Sequence, residues 1–228
     1  MRIALVQCYS QNNFSYYFMT EHIRLFYAAL CDLGCDVIFL NNQYDPSRFN
    51  IFFSSVSSEP DLIKDILTNK IDFAVYQPEI LTSRGVNYRK EGDRIMSANG
   101  IGGLYQYLNF IANARIVLEI FPFNQRYLAE YKIKSILFPL GHHQTLENTP
   151  ESNKDFDLCF FGLGSSYRKR IISELEEAGL NCEFVIKRHN FFRDNVLTRT
   201  KINLALPYNT NSMSHISPFR VYTGLYNG

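Results

Sequence analysis

A strand, a helix and a second strand fit into about the first 40 residues, and that spacing constrains the fold more than anything else in the chain. Residues 3–7 form an apolar run of strand length. A polar loop follows (Ser10-Gln11-Asn12-Asn13), then Phe18, Ile23, Phe26 and Leu30 at helical spacing. Gly34 stands where such a helix takes a left-handed C-cap, and residues 36–40 are apolar again. Two strands joined through one helix so quickly must run parallel, with a right-handed crossover.

The pattern recurs. Residues 58–68 have helical spacing, and 71–76 make a strand ending in Gln77-Pro78-Glu79. Residues 83–103 are polar and Gly-bearing and are expected to be a long loop. A helix over 104–112, a strand over 114–119, a short helix over 124–131 and a strand over 135–138 complete the first half. Residues 143–154 are polar, contain Pro150 and lack periodicity, so they read as a linker. A new strand–helix–strand unit begins at once: strand 157–161, a Gly turn, helix 167–178 capped by Gly179, and strand 182–186. Residues 202–206 make a further strand and 218–226 a helix. The expected architecture is α/β, with two Rossmann-like, doubly wound domains: 1–142, then the 143–154 linker, then 155–228.

Composition removes several function classes. Lys and Arg total 23 against 22 Asp and Glu, so the net charge of +1 supplies no electrostatic footprint for nucleic acid. No stretch approaches the roughly 20 apolar residues of a spanning helix, and the N-terminus lacks a signal-peptide pattern; a cytoplasmic protein is expected. Nineteen Phe and fifteen Tyr supply enough large rings for a core without metal or disulfide staples. Five cysteines lie at positions 8, 31, 35, 159 and 182. Cys31 and Cys35 have no second pair at zinc spacing and are expected to be packing residues.

The main chemical feature is Phe161-Gly162-Leu163-Gly164-Ser165-Ser166-Tyr167-Arg168-Lys169-Arg170. A strand, a turn of small residues and a helix start aim backbone N–H groups at one place, with cations beside them, which suits an anion. It is neither G-x-G-x-x-G nor a P-loop, and the same residues also describe an ordinary strand-to-helix turn with a basic first turn. Asp155-Phe156-Asp157 has the D-x-D form, but it precedes the apolar run and does not follow it, so no metal is expected there. No H-E-x-x-H, G-x-S-x-G or Cys–His pattern accompanies the five histidines. His22 falls on an amphipathic helix, a structural position. His142 follows the strand exit at Pro139-Leu140-Gly141, where cleft and solvated positions are both open. His215 lies in a polar loop before Pro218, suited to a ligand contact.

Residues 155–162, Arg168-Lys169-Arg170, 201–206 and Ser217-Pro218-Phe219-Arg220-Val221-Tyr222 together resemble the nucleotide-sugar half of GT-B glycosyltransferases. The closest likeness is to the bacterial spore-maturation-type and family-1-like group. Phe123-Asn124-Gln125-Arg126-Tyr127-Leu128 with Phe138-Pro139-Leu140-Gly141-His142 resembles that group's hinge. The resemblance implies transfer of a sugar from a nucleotide-diphosphate donor to an unknown acceptor, without cofactor or metal. It implies donor contacts from Gly162, Ser165 and Arg168 in a first loop and from His215 and Arg220 in a second. Asn12, Asn13 and His142 are the expected cleft residues. It also implies a further strand and an acidic residue past Gly228, so the second domain is expected to be incomplete. A glycosyltransferase-like binding or scaffold protein without turnover is the alternative. A sugar-nucleotide epimerase would want G-x-G-x-x-G near the start and Y-x-x-x-K, and neither stands in place.

Overall fold

In the computed structural model of the chain, residues 1–8, 19–53, 59–91, 94–98, 100–148, 153–186, 190–208 and 218–227 are described. Contacts divide it into two compact units, Met1–Gly141 and His142–Gly228. Each is built on its own parallel sheet.

The first unit runs β1 (Arg2–Gln7), α1 (Thr20–Asp32), β2 (Asp36–Asn41), β3 (Phe49–Phe53), α2 (Pro60–Thr68) and β4 (Phe73–Gln77). It continues through β5 (Leu81–Thr82), β6 (Gly85–Glu91), β7 (Arg94–Ala98), α3 (Gly100–Ala112), β8 (Ile116–Glu119), α4 (Pro122–Glu130) and β9 (Ile136–Leu137). Six strands form one parallel sheet in the order β2-β1-β3-β4-β8-β9. Strand alternation divides the buried side chains between its faces. Ala4, Val6, Phe52, Phe73, Val75 and Val117 join Ile63 and Ile66 of α2, Leu104 and Phe110 of α3 and Leu128 of α4 in one core. On the opposite face Phe26 of α1 packs edge-on against Phe53 and Tyr76, with ring centroids 5.0 and 5.2 Å apart. Helices on both faces of a parallel sheet give the Rossmann-like arrangement that the spacing predicts.

Two expectations are corrected. The expected loop over 83–103 instead holds β6 and β7, which form a small antiparallel sheet with β5 just before them, and α3 begins at Gly100. Cys31 is exposed and Cys35 half-buried, so Cys31 is not a packing residue; both are free thiols. Four helices end in the same way. Behind α1 and α2, residues Gly34 and Lys70 take φ of 74° and 50°, and Lys132 takes 60° behind α4. In each, two N–H groups fold back onto the last helical carbonyls, as in Cys35 to Leu30 at 3.0 Å and Ile133 to Leu128 at 3.0 Å.

The second unit contains a 3-10 turn at Gln144–Leu146, β10 (Phe156–Phe161), α5 (Ser166–Glu177), β11 (Cys182–Val185), α6 (Asn190–Thr198), β12 (Thr200–Asn203) and α7 (Pro218–Tyr226). Gly179, φ 88°, closes α5 as the fourth of these caps. The sheet order is β11-β10-β12, all parallel. Part of the expected linker belongs to this unit: Asn148 donates from its backbone to Tyr226 at 2.7 Å and from its side chain to Asn227 at 2.9 Å. Among the described residues, no helix is long and apolar enough to cross a membrane.

Candidate functional site

The strand order of the second unit selects a place on it. Chain leaving β10 passes through α5 to β11 on one side, and α6 returns to β12 on the other. The strand order therefore reverses at β10, and ligands of open parallel sheets bind at such a switch point, beyond the carboxyl ends of the strands. Here the exits of β10 and β12 are residues 162–165 and 204–208.

Gly162 opens the first exit with φ 135°, its N–H still held by Val185 C=O at 3.1 Å. Ser165 then caps α5. Its hydroxyl oxygen accepts from Arg168 N–H at 3.2 Å, and its O–H donates to Tyr208 C=O at 2.6 Å. Among the described residues no acceptor takes the N–H groups of Leu163, Gly164 or Ser165. A short run of unengaged N–H groups ahead of a helix is an environment that favours an anion.

Arg168, only 4% exposed, is turned inward. Its Nη1 donates to Leu163 C=O at 2.7 Å, Nη2 to Leu206 C=O at 2.8 Å and Nε to Pro207 C=O at 3.0 Å. The guanidinium carbon lies 4.8 Å from the Phe160 ring and 5.3 Å from the Tyr208 ring. Burying a cation is tolerable only when its donors are met, and here three carbonyls and two ring faces do so. Arg168 thus spans both exits. Arg220, in the first turn of α7, arrives from elsewhere in the chain: its Nε donates to Phe161 C=O at 3.0 Å and its guanidinium lies 5.2 Å from the same Phe160 ring. A Cβ on residue 162 would stand 2.6 Å from Arg220 Nη2. The first turn of α6 adds Arg193, 5% exposed, bound to Asp194 and 5.4 Å from the Phe161 ring. The three α-helices among the described residues of this unit thus each carry a first-turn arginine beside an aromatic ring of β10, against the preference of a helix N-terminus for negative charge.

The other expected residues are placed as follows. His142 falls in the second unit, exposed, with Nε2 2.6 Å from Glu147 Oε1 and its ring 6.0 Å from that of Tyr226. Asn12, Asn13 and His215 lie outside the described residues. Asp155 and Asp157 are at the amino end of β10, away from the Gly162 turn. Asp155 pairs with Arg199, and Asp157 with Lys201 at 2.7 Å, which holds the Asp157 carboxyl below its ordinary range.

The sequence reading overlooked a buried polar group in the first unit. Gln77 and Glu119 end β4 and β8, face each other in register, and are both fully buried. Tyr107 donates its O–H to Gln77 Oε1 at 2.7 Å. Glu119 Oε1 accepts from Phe121 N–H at 2.8 Å and from Asn124 Nδ2 at 3.2 Å, while Oε2 has no partner among the described residues. Burial pushes this carboxyl up to about 8. A polar residue closing an apolar strand was the available signal, and it reads equally well as a strand emerging into solvent. His22 is buried too, its Nδ1 2.9 Å from Tyr76 Oη, and desolvation pushes it down to about 3.

Fold and site together define an α/β protein with two Rossmann-like parallel sheets, the second carrying an arginine-rich switch point. In comparison with known proteins, no family model and no curated protein matches the chain.

Proposed function

We propose that the chain is a glycosyltransferase of the two-domain GT-B type, with the nucleotide-diphosphate sugar held by the second unit and the acceptor by the first. The observation that carries this reading is the meeting, at the exit of β10, of the Gly162 turn with the Arg220 guanidinium. Unengaged N–H groups of residues 163–165 and a cation beside them suit a diphosphate, which accepts charge-assisted and often bidentate bonds. When the sugar leaves, negative charge grows on that diphosphate, and fixed donors there stabilise it without reorganising. In this reading Arg220 and the turn N–H groups face the ligand, whereas Gly162, Ser165 and Arg168 shape the turn. His215 remains assigned to the second donor loop.

Calorimetry with UDP, GDP, TDP and ADP and their sugars, with and without EDTA, tests the proposal. One of them should bind, undiminished by chelator. Binding with no sugar transfer to any of a range of acceptors would make the chain a binding protein. No binding by any of them would end the reading, and binding abolished by chelator would return attention to Asp155 and Asp157.

A further inference from the structure

We infer that Arg168 is the positioning residue of this site, a clamp that locks the 162–165 and 204–208 segments into one preformed cradle. Its purpose rests on the donor-site reading above, but the lock is a property of the free protein.

Strand pairing stops short of the cradle. Pairing of β12 with β10 ends at Asn203, and the last tie between them is Leu204 N–H to Cys159 C=O at 2.7 Å. Beyond it the carbonyls of Leu206, Pro207 and Tyr208 turn to α5: Arg168 takes the first two and Ser165 the third. A further Arg168 bond goes to Leu163, within the other segment. One side chain thereby replaces the missing ladder. Its main chain is tied as well, since Arg168 N–H caps onto Ser165 Oγ.

The chemistry requires arginine. Three carbonyls on two separate segments are reached by three different nitrogens of one rigid plane. A lysine ammonium offers its donors from a single point and cannot span them. With the residue only 4% exposed and its guanidinium held by carbonyls, its charge reaches a ligand only indirectly. What it contributes is preorganisation, which removes the ordering cost of two loops from the binding step.

The test compares wild type with Arg168→Lys and Arg168→Gln in the full chain. Backbone 15N order parameters are measured without ligand, and inorganic pyrophosphate is titrated by calorimetry. In wild type both segments should show the roughly 0.85 of rigid backbone, and in both variants they should fall together below about 0.6. Strands β10 and β11 and helix α6 should stay rigid. Pyrophosphate affinity should fall at least tenfold, equally in the two variants. Segments that stay rigid, or a Lys variant that keeps its affinity, would make Arg168 a ligand contact and overturn the clamp. Loosening of all the strands alike would make it ordinary core support and overturn it too. If wild type binds no pyrophosphate, the donor reading fails, while the order parameters still decide the clamp.

Discussion

The guanidinium of Arg220 fills the space in which a side chain on residue 162 would begin: an added Cβ would lie 2.6 Å from Nη2. Gly162 is therefore fixed twice, by φ of 135° and by its neighbour. Gly162→Ala should destabilise the second unit by about 1–3 kcal/mol, the usual cost of a strained backbone position. It should also push Arg220 off Phe161 C=O. Urea unfolding checks the first effect. A variant as stable as wild type would mean that the turn can relax at no cost.

Arg220→Ala separates binding from folding. Among its described contacts it removes the partly buried hydrogen bond to Phe161 C=O, itself worth about 1 kcal/mol of stability. Loss of a guanidinium–diphosphate contact should weaken donor binding by about 1.5–3 kcal/mol. Calorimetry and thermal unfolding on the same variant distinguish the two. Unchanged affinity would remove Arg220 from the site.

Lys70 and Lys132 occupy the left-handed position that Gly34 and Gly179 fill behind the other two capped helices. A Cβ in that conformation costs about 1–2 kcal/mol, partly offset by the greater chain entropy that glycine loses on folding. Lys70→Gly and Lys132→Gly should each stabilise the protein by about 0.5–1 kcal/mol in urea unfolding. A loss of stability in both would show that the lysine side chains contribute more than their backbone strain costs.

Much of this fold could be read before any coordinates. The apolar runs of β1, β2, β4, β8 and β10 stand out by composition, those of β1 and β4 because nearly all their side chains are buried, and Gly34, Gly179 and Pro218 mark helix ends by their own backbone chemistry. Strand β3 was missed because Asn50 interrupts it. That side chain is fully buried and satisfied locally, receiving Asp45 N–H at 3.0 Å and donating to the Asp45 and Arg48 carbonyls. The lysines at 70 and 132 hid two further caps. Strand β12 was expected over 202–206 on hydrophobicity, whereas pairing spans Thr200–Asn203 and the carbonyls after it go to side chains of α5. Arg168 shows the limit most clearly. Its position beside the turn was legible, but its inward direction depends on where residues 206 and 207 return in space, and no local pattern encodes that.

His22 and Glu119 impose opposite pH dependences on the first unit. His22 falls from an ordinary 6.5 to about 3, so across that interval the unfolded chain holds the extra proton and stability rises with pH. Glu119 climbs from 4.5 to about 8, so the folded state holds the extra proton and stability falls as pH rises across that interval. Each slope is about 1.4 kcal/mol per pH unit. Together they give a rise to about pH 4.5, a plateau to about 6.5 and a fall to about 8. Glu119→Gln should abolish the fall and His22→Gln the rise, in urea midpoints taken across this range. A fall that persists in Glu119→Gln would mean another group is responsible.

The central claim is that the exit of β10 in the second unit binds the diphosphate of a nucleotide sugar. The most direct measurement is an amide NMR titration of the 15N-labelled chain with inorganic pyrophosphate in the presence of EDTA. The account predicts saturable shifts concentrated at Leu163, Gly164 and Ser165 and in the first turn of α7, the turn that carries Arg220. Shifts confined to Met1–Gly141, or none at any concentration up to those of cellular nucleotides, would contradict it.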